Sequence, residues 1–212
     1  MSEGQPVLLE TVRVSGGKVP LMHLHQDRLD RSRLAHALGR VSLDPPVDRD
    51  GAVRCRISPE SIRYEWRPGG DDGPVRLATW PRPFLPYPHK SIVRKQFDDG
   101  KAWAVEHGAD EALFVTGEGW VAESGIWAVL WWDGDTLAGP PLDLGILPSV
   151  ARARLLEAGV EVREERLQRG ETGARLLVVA NAVRGVVPVA SLDGEPVPGH
   201  RLTGEIAALF RP

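Results

Sequence analysis

Four prolines near the middle of the chain constrain its fold more than any other feature: Pro81, Pro83, Pro86 and Pro88. Each proline fixes its own φ angle and lacks a backbone N–H, so the segment favours a stiff, extended connector over a helix or an interior strand. It predicts a small lobe over 1–80, a connector over 81–89 and a larger lobe over 90–212. A chain of 212 residues can bury a substantial core in such an arrangement.

The apolar periodicity before the connector predicts a small α+β lobe. A strand over 7–14 turns at Gly16 and Gly17 into a second strand over 19–22. Leucines near helical spacing predict a helix over 26–38. Three further strands are expected over 52–57, 62–66 and 75–80.

Beyond the connector the pattern predicts a larger α+β lobe. A helix over 91–107 leads into a meander of strands over 112–115, 119–122 and 126–132. The remaining expected elements are a helix over 150–158, strands over 176–180 and 186–189, and a helix over 201–210. The fold class indicated is α+β in two lobes.

Composition excludes several classes of function. The formal net charge is −3 and the charges are interspersed, so no surface for nucleic acid is indicated. No apolar run approaches the roughly 18 residues of a membrane span, and the first residues lack a signal-peptide pattern. The single cysteine, Cys55, fits a reducing cytoplasm.

Lysine usage directs attention to Lys90. Only four of the 26 basic residues are lysines, so the chain prefers arginine for positive charge. A lysine kept in such a chain can be one whose amine is needed, because guanidinium cannot be deprotonated to attack a carbonyl. Lys90 lies between the connector and a predicted helix, where it could form a covalent bond with an aldehyde cofactor. A solvated surface lysine is the commoner case.

An acid and a phosphate socket are suggested further along the chain. Glu123 ends a predicted strand, where a carboxylate could pair with a protonated pyridine nitrogen. Ser149 is a good N-cap for the helix that follows, and the free amides of such a helix start attract phosphate. Arg28 could neutralise the same phosphate. Each of these residues, taken alone, is more often structural.

The sequence indicates no metal site. His23 and His25 are two residues apart, which would place both on one face of a strand. No neighbouring cysteine or carboxylate completes a ligand set, so we expect no bound metal.

Six segments in order resemble the class IV pyridoxal-phosphate enzymes, a family that includes branched-chain and D-amino-acid aminotransferases and 4-amino-4-deoxychorismate lyases. The segments are LLETVRV, HQDRLDRS, PHKSIVRK, GADEALFVTGEGWVAESG, PPLDLGILPSVAR and NAVRGVVPVASLDG. The resemblance implies a small α+β lobe, a larger lobe built on a pseudo-barrel, and a homodimer. It also implies a further strand before Glu10, so this chain is shortened at its N-terminus relative to the family.

The resemblance implies a role for each matching residue. Lys90 matches the lysine that forms a Schiff base with pyridoxal 5′-phosphate and then moves the proton, and Glu123 matches the glutamate that pairs with the pyridine nitrogen. The implied phosphate contacts are Arg28, Ser149, Val150, Ala151 and Ala182. Arg13 could meet a substrate carboxylate, although a charged strand residue is the safer interpretation.

The family implies an enzyme that acts on a small amino-acid or amino-chorismate substrate, and the single cysteine fits a cytoplasmic one. Amino-group transfer between an amino acid and a 2-oxo acid is the main expectation. The close alternative is a lyase that releases pyruvate and 4-aminobenzoate from 4-amino-4-deoxychorismate. A second alternative is a dimeric cofactor-binding or scaffold protein that has lost catalysis.

Overall fold

The computed structural model describes residues 6–67 and 73–211, and the α+β class is confirmed there. The strands of these ranges are β1 (Leu8–Val14), β2 (Gly51–Ile57), β3 (Ile62–Arg67), β4 (Val75–Pro83), β5 (Glu111–Val115), β6 (Val121–Ser124), β7 (Ala128–Asp133), β8 (Thr136–Gly139), β9 (Val162–Glu164), β10 (Leu176–Asn181), β11 (Gly185–Leu192) and β12 (Glu195–Pro196). The α-helices are α1 (Met22–Ala35), α2 (Lys95–Glu106), α3 (Val150–Glu157) and α4 (Thr203–Ala208).

One compact unit combines 6–67 with His89–Val93. Its sheet is antiparallel in the order β1-β2-β3, and α1 packs on it. Alternate residues of β1 point to the same face, and Leu8 and Val12 share a buried cluster with Leu29 of α1. Glu10 falls between those two apolar positions, so its carboxylate is directed toward the helix.

The chain reverses after β1 at the predicted glycines. Gly16 and Gly17 both have positive φ, and Ser15 and Lys18 exchange backbone hydrogen bonds of 2.9 and 3.2 Å. The strand predicted over 19–22 is wrong, because α1 already begins at Met22 and β1 pairs instead with β2.

The second unit holds one sheet in the order β6-β5-β4-β11-β10-β7-β8-β9, with β12 paired to β11. The β4–β5, β4–β11 and β8–β9 pairs are parallel and the others antiparallel. Successive residues of β7 enter different cores: Trp131 joins one buried cluster while Leu130 and Trp132 join another, which α3 covers. The sheet is therefore covered on both faces at its centre.

Helix α2 is shorter than predicted and begins at Lys95. The residues before it extend along β1 instead, where the carbonyl of Lys90 accepts from Leu9 N–H at 2.8 Å and Ile92 N–H donates to Val7 at 3.0 Å. Backbone pairing with β1 thus fixes the position of Lys90 in the first unit.

Strand β4 lies at the sequence boundary between the expected lobes, and it pairs with β5 and β11 in the larger sheet. The division into 1–80, 81–89 and 90–212 stays a prediction. Among the helices of the described ranges, none is long and apolar enough to cross a bilayer.

Candidate active site

The first unit contains a buried ion pair built from β1 and α1. Arg28 donates from Nε to Glu10 Oε1 at 2.9 Å and from Nη2 to Oε2 at 2.6 Å. His25, one helical turn before Arg28, shares the same carboxylate through Nδ1 at 2.7 Å. All three side chains are buried, so the carboxylate is held from two sides in a low-dielectric setting.

Burial and the neighbouring side chains together set the charges of this cluster. Burial opposes ionisation of Glu10, but the Arg28 guanidinium and the His25 hydrogen bond outweigh it and lower the pKa of Glu10 to about 2. Burial lowers the pKa of His25, and Glu10 offsets this only in part. At neutral pH the cluster therefore holds a carboxylate, a guanidinium and a neutral imidazole.

Lys90 belongs to the same unit as Arg28. Its backbone follows β1 beside Glu10, its side chain is half-buried, and its charge contributes to the lowered pKa of His25. The charges of the predicted amine and of the predicted phosphate-binding arginine therefore both act on one imidazole. The structure places these two candidate residues in the same unit.

His25 carries a buried nitrogen for which the described residues supply no hydrogen-bond partner. That atom is Nε2, on a side chain that is 1% exposed. The expectation that His23 and His25 share the face of a strand is wrong, since both lie in α1 and residues two apart in a helix diverge. Within the described ranges no group of three metal-ligating side chains is found.

Glu123 lies in the second unit, in β6, with 7% of its surface exposed. Its Oε1 accepts a hydrogen bond from Leu147 N–H at 3.3 Å. The donor belongs to the loop that enters α3, so this bond joins the predicted acid to the predicted phosphate socket. A carboxylate so placed can accept a proton or a hydrogen bond from a pyridine nitrogen.

The start of α3 has the features of an anion site. Ser149 is extended and its Oγ accepts from Arg152 N–H at 3.2 Å, as an N-cap should. Val150 and Ala151 come next, both buried, and the first amides of a helix have no acceptor within it. The positive end of the helix dipole adds to their attraction for phosphate.

Ala182 follows β10 in the turn before β11. The side chain of Asn181 shapes this turn, since its Oδ1 accepts from the amides of Val183 at 3.0 Å and Arg184 at 2.8 Å. Ala180, at the end of β10, packs in the same cluster as Ala151 of α3. The turn that carries Ala182 thus follows directly after β10, the strand against which α3 packs.

Arg13 is not grouped with the other predicted residues. It is half-buried on β1, three positions after Glu10, and so projects from the opposite face of the three-stranded sheet. The role of Arg13 in substrate binding stays a prediction.

The predicted residues therefore fall into two sets, one in each unit. The first contains Lys90 and Arg28; the second contains Glu123, the α3 start with Ser149, and Ala182. Glu10 and His25, which form the buried cluster with Arg28, were not predicted as site residues. The available signal was an acidic residue at an inward-facing position of β1, since a buried carboxylate requires a cation.

Comparison with known proteins identifies the family of the chain. Residues 66–192, more than half of the chain, match the family model described as amino-transferase class IV. None of the curated proteins matches the chain.

Solved structures with the same fold cover almost the whole chain. A Legionella pneumophila protein provisionally named a 4-amino-4-deoxychorismate lyase is 22% identical with a TM-score of 0.84, over 98% of this chain and 90% of its own. A hypothetical aminotransferase from Mycobacterium tuberculosis, in its PLP-bound form, is 18% identical with a TM-score of 0.83, over 99% and 88%. A branched-chain aminotransferase from Thermoproteus uzoniensis, solved with norvaline, is 20% identical with a TM-score of 0.80, over 98% and 84%.

Proposed function

The chain belongs to the amino-transferase class IV family, and from that premise we propose that it is a pyridoxal-phosphate-dependent enzyme that transfers an amino group between an amino acid and a 2-oxo acid. The observation that carries the proposal is the hydrogen bond of 3.3 Å from Leu147 N–H to the buried Glu123. This bond links an acid to a buried helix start. The acid suits the ring nitrogen of the cofactor, and the helix start suits its phosphate.

The residues present fit this cofactor. Val150 and Ala151 are buried residues whose amides have no acceptor within α3, which suits the phosphate oxygens. Ser149, Arg28 and Ala182 would complete the phosphate contacts. Glu123 would hold the pyridine nitrogen in its protonated form.

Lys90 would bind the cofactor covalently through its amine and act as the general base that moves a proton at the substrate carbon. When bound, pyridoxal phosphate supplies an electron-poor ring that accepts the electron pair released at that carbon. Glu10 would contribute indirectly, because its two hydrogen bonds fix the orientation of Arg28.

The lyase reaction is a second candidate. It is favoured by the likeness to the Legionella pneumophila protein, which is provisionally named a 4-amino-4-deoxychorismate lyase. Both reactions require an amine, an acid and a phosphate socket, so the candidate residues serve either one. Family membership supports an enzyme rather than the non-catalytic scaffold.

We further infer a cytoplasmic homodimer. The one cysteine, Cys55, is a buried free thiol, as suits a reducing compartment. Several large apolar side chains of the second unit are more than 40% exposed and could be covered by a partner: Leu85, Val105, Ile126 and Leu142. Analytical ultracentrifugation tests this, and a sedimenting monomer at micromolar concentration would contradict it.

Two measurements test the proposed function. The purified protein should become yellow with pyridoxal phosphate, and borohydride reduction followed by peptide mass spectrometry should locate the label on Lys90. A protein that stays colourless and unlabelled would contradict the proposal. Incubation with 4-amino-4-deoxychorismate, or with amino donors and 2-oxoglutarate, then separates the candidates by whether 4-aminobenzoate or a new amino acid appears.

A further inference from the structure

His25 is a buried titratable residue that the proposed function does not use. Its Nδ1 is committed to Glu10 at 2.7 Å, whereas the described residues supply no partner for Nε2. A buried polar atom without a partner costs free energy. Arg28 and Lys90, whose positive charges both act on this imidazole, are cations that would attract an anion to it.

The tautomer of His25 follows from its neighbour. Glu10 is ionised at neutral pH, because its pKa is lowered to about 2, and a carboxylate can only accept hydrogen bonds. The proton of the neutral imidazole must then lie on Nδ1. Nε2 is left with a lone pair, which can accept a proton but cannot donate to an anion.

We propose that His25 takes up a proton on Nε2 when a phosphate-bearing ligand binds beside Arg28, and that the resulting imidazolium donates this N–H to the anion. The inference rests on the proposed function, because it assumes that the cofactor phosphate lies at Arg28. No bond other than the new N–H is formed, and the proton comes from solvent.

The charges around His25 account for the coupling. The groups that face it are Glu10 of β1, Arg28 of its own helix and Lys90 of the 89–93 segment. Cys55 lies on β2, opposite Glu10 in the pairing of β1 with β2. It stays a neutral thiol because burial raises its pKa to about 12. Without an anion, two cations oppose protonation of His25 and one carboxylate favours it. A bound phosphate adds negative charge and reverses that balance.

Proton uptake can be measured directly with pyridoxine 5′-phosphate, which has the cofactor's phosphate but no aldehyde to react with Lys90. Isothermal titration at pH 8 in two buffers of different ionisation enthalpy gives the number of protons bound per ligand. We expect an uptake of roughly one proton. Binding with no proton uptake would overturn the inference and leave the proposed function standing, whereas failure of this ligand and of pyridoxal phosphate to bind would contradict the proposed function itself.

Two substitutions identify the atom responsible. His25→Asn retains a donor near the Nδ1 position but lacks Nε2, so proton uptake should disappear and affinity should fall about tenfold. The matched control is His23→Asn, an exposed residue of the same helix, which should leave both quantities unchanged. Uptake that persists in His25→Asn would assign the proton to another group.

A spectroscopic measurement on the unaltered protein tests the same inference even if the His25→Asn variant does not fold. In protein labelled with ¹⁵N-histidine, the two ring nitrogens of His25 should differ in chemical shift before the ligand is added and become similar once the imidazolium forms. A His25 spectrum that keeps its neutral pattern in the complex would overturn the inference.

Discussion

Arg28 and Glu10 meet side-on, with Nε to Oε1 at 2.9 Å and Nη2 to Oε2 at 2.6 Å, in the interior between α1 and β1. Two parallel bonds fix the plane of the guanidinium as well as its position. They hold Nη1 on the side away from the carboxylate. The ion pair is thus a support for the arginine that the proposed function assigns to phosphate.

Glu10→Gln should destabilise the protein strongly. The amide is similar in shape but leaves the buried Arg28 charge uncompensated, and breaking a buried pair in this way costs about 3–5 kcal/mol. Urea denaturation followed by circular dichroism measures the free energy of unfolding. The control is Asp99→Asn, which breaks an exposed i,i+4 pair with Lys95 and should change stability by no more than about 0.5 kcal/mol. Similar losses in both variants would contradict the assignment.

Stability should fall in acid because of the same carboxylate. The pKa of Glu10 is lowered from 4.5 in the unfolded chain to about 2 in the folded protein, so the folded state binds the proton less readily. The contribution is complete above pH 4.5 and is lost as the pH falls toward 2. Urea denaturation between pH 6 and 2.5 should show that the free energy of unfolding falls with pH. In Glu10→Gln the fall should be smaller, because the contribution of the Glu10 carboxylate is absent. Parallel curves for the two proteins would contradict the prediction.

The sequence predicted the fold class and most strands, because alternation in segments such as 8–14 and 52–57 is a local signal. It did not predict where α1 begins. The first turn of that helix contains His25, a buried polar residue whose hydrogen-bond partner is Glu10 of β1. A contact between residues 15 positions apart cannot be read from the periodicity of either segment.

The candidate site was predicted from the order of six segments rather than from any one residue. That order predicted Lys90 and Glu123, whose chemical types the proposed cofactor would require. It did not identify Glu10, because most strand glutamates are solvated, and its position between apolar residues indicates burial but not which cation pairs with it. The missing information is the pairing of β1 with α1 in space, which needs the tertiary structure.

Lys90→Arg should abolish turnover, with a loss of at least about 1000-fold in kcat, because arginine keeps the charge but supplies no nucleophilic amine. The variant should also take up no covalent label after borohydride reduction. Lys95→Arg is the matched control, since Lys95 is exposed and pairs with Asp99 on the surface of α2. Turnover and labelling should be unchanged in the control. Residual labelling of Lys90→Arg would show that another lysine bears the cofactor.

Glu123→Gln should lower kcat by roughly 100-fold while the cofactor still binds. The amide oxygen can retain the bond from Leu147 N–H, now 3.3 Å long, but a neutral side chain cannot hold the ring nitrogen protonated. The visible absorption and circular dichroism of the bound cofactor should change, and the melting temperature should shift little. Unaltered spectra and kcat would contradict the pairing of Glu123 with that nitrogen.

Val150→Pro removes one amide from the start of α3 without breaking the helix. Proline is well tolerated at the first helical position, and the preceding Ser149 has φ −78° and ψ 125°, an extended conformation that a following proline requires. If this amide binds phosphate, its loss should weaken pyridoxine 5′-phosphate binding by about 10- to 100-fold, the value of a hydrogen bond to a charged group.

Val150→Ala separates the amide from the side chain in that experiment. Both variants lose buried apolar contacts at a residue that is 3% exposed, so both should lower the melting temperature by similar amounts. Only Val150→Pro should lower the affinity for pyridoxine 5′-phosphate, which isothermal titration measures. The two variants share the packing defect, so a difference in affinity between them reports on the amide alone. Equal affinities for pyridoxine 5′-phosphate would show that Val150 N–H does not contact the phosphate. An affinity at least about tenfold lower in Val150→Pro than in Val150→Ala would place the anion at the start of α3.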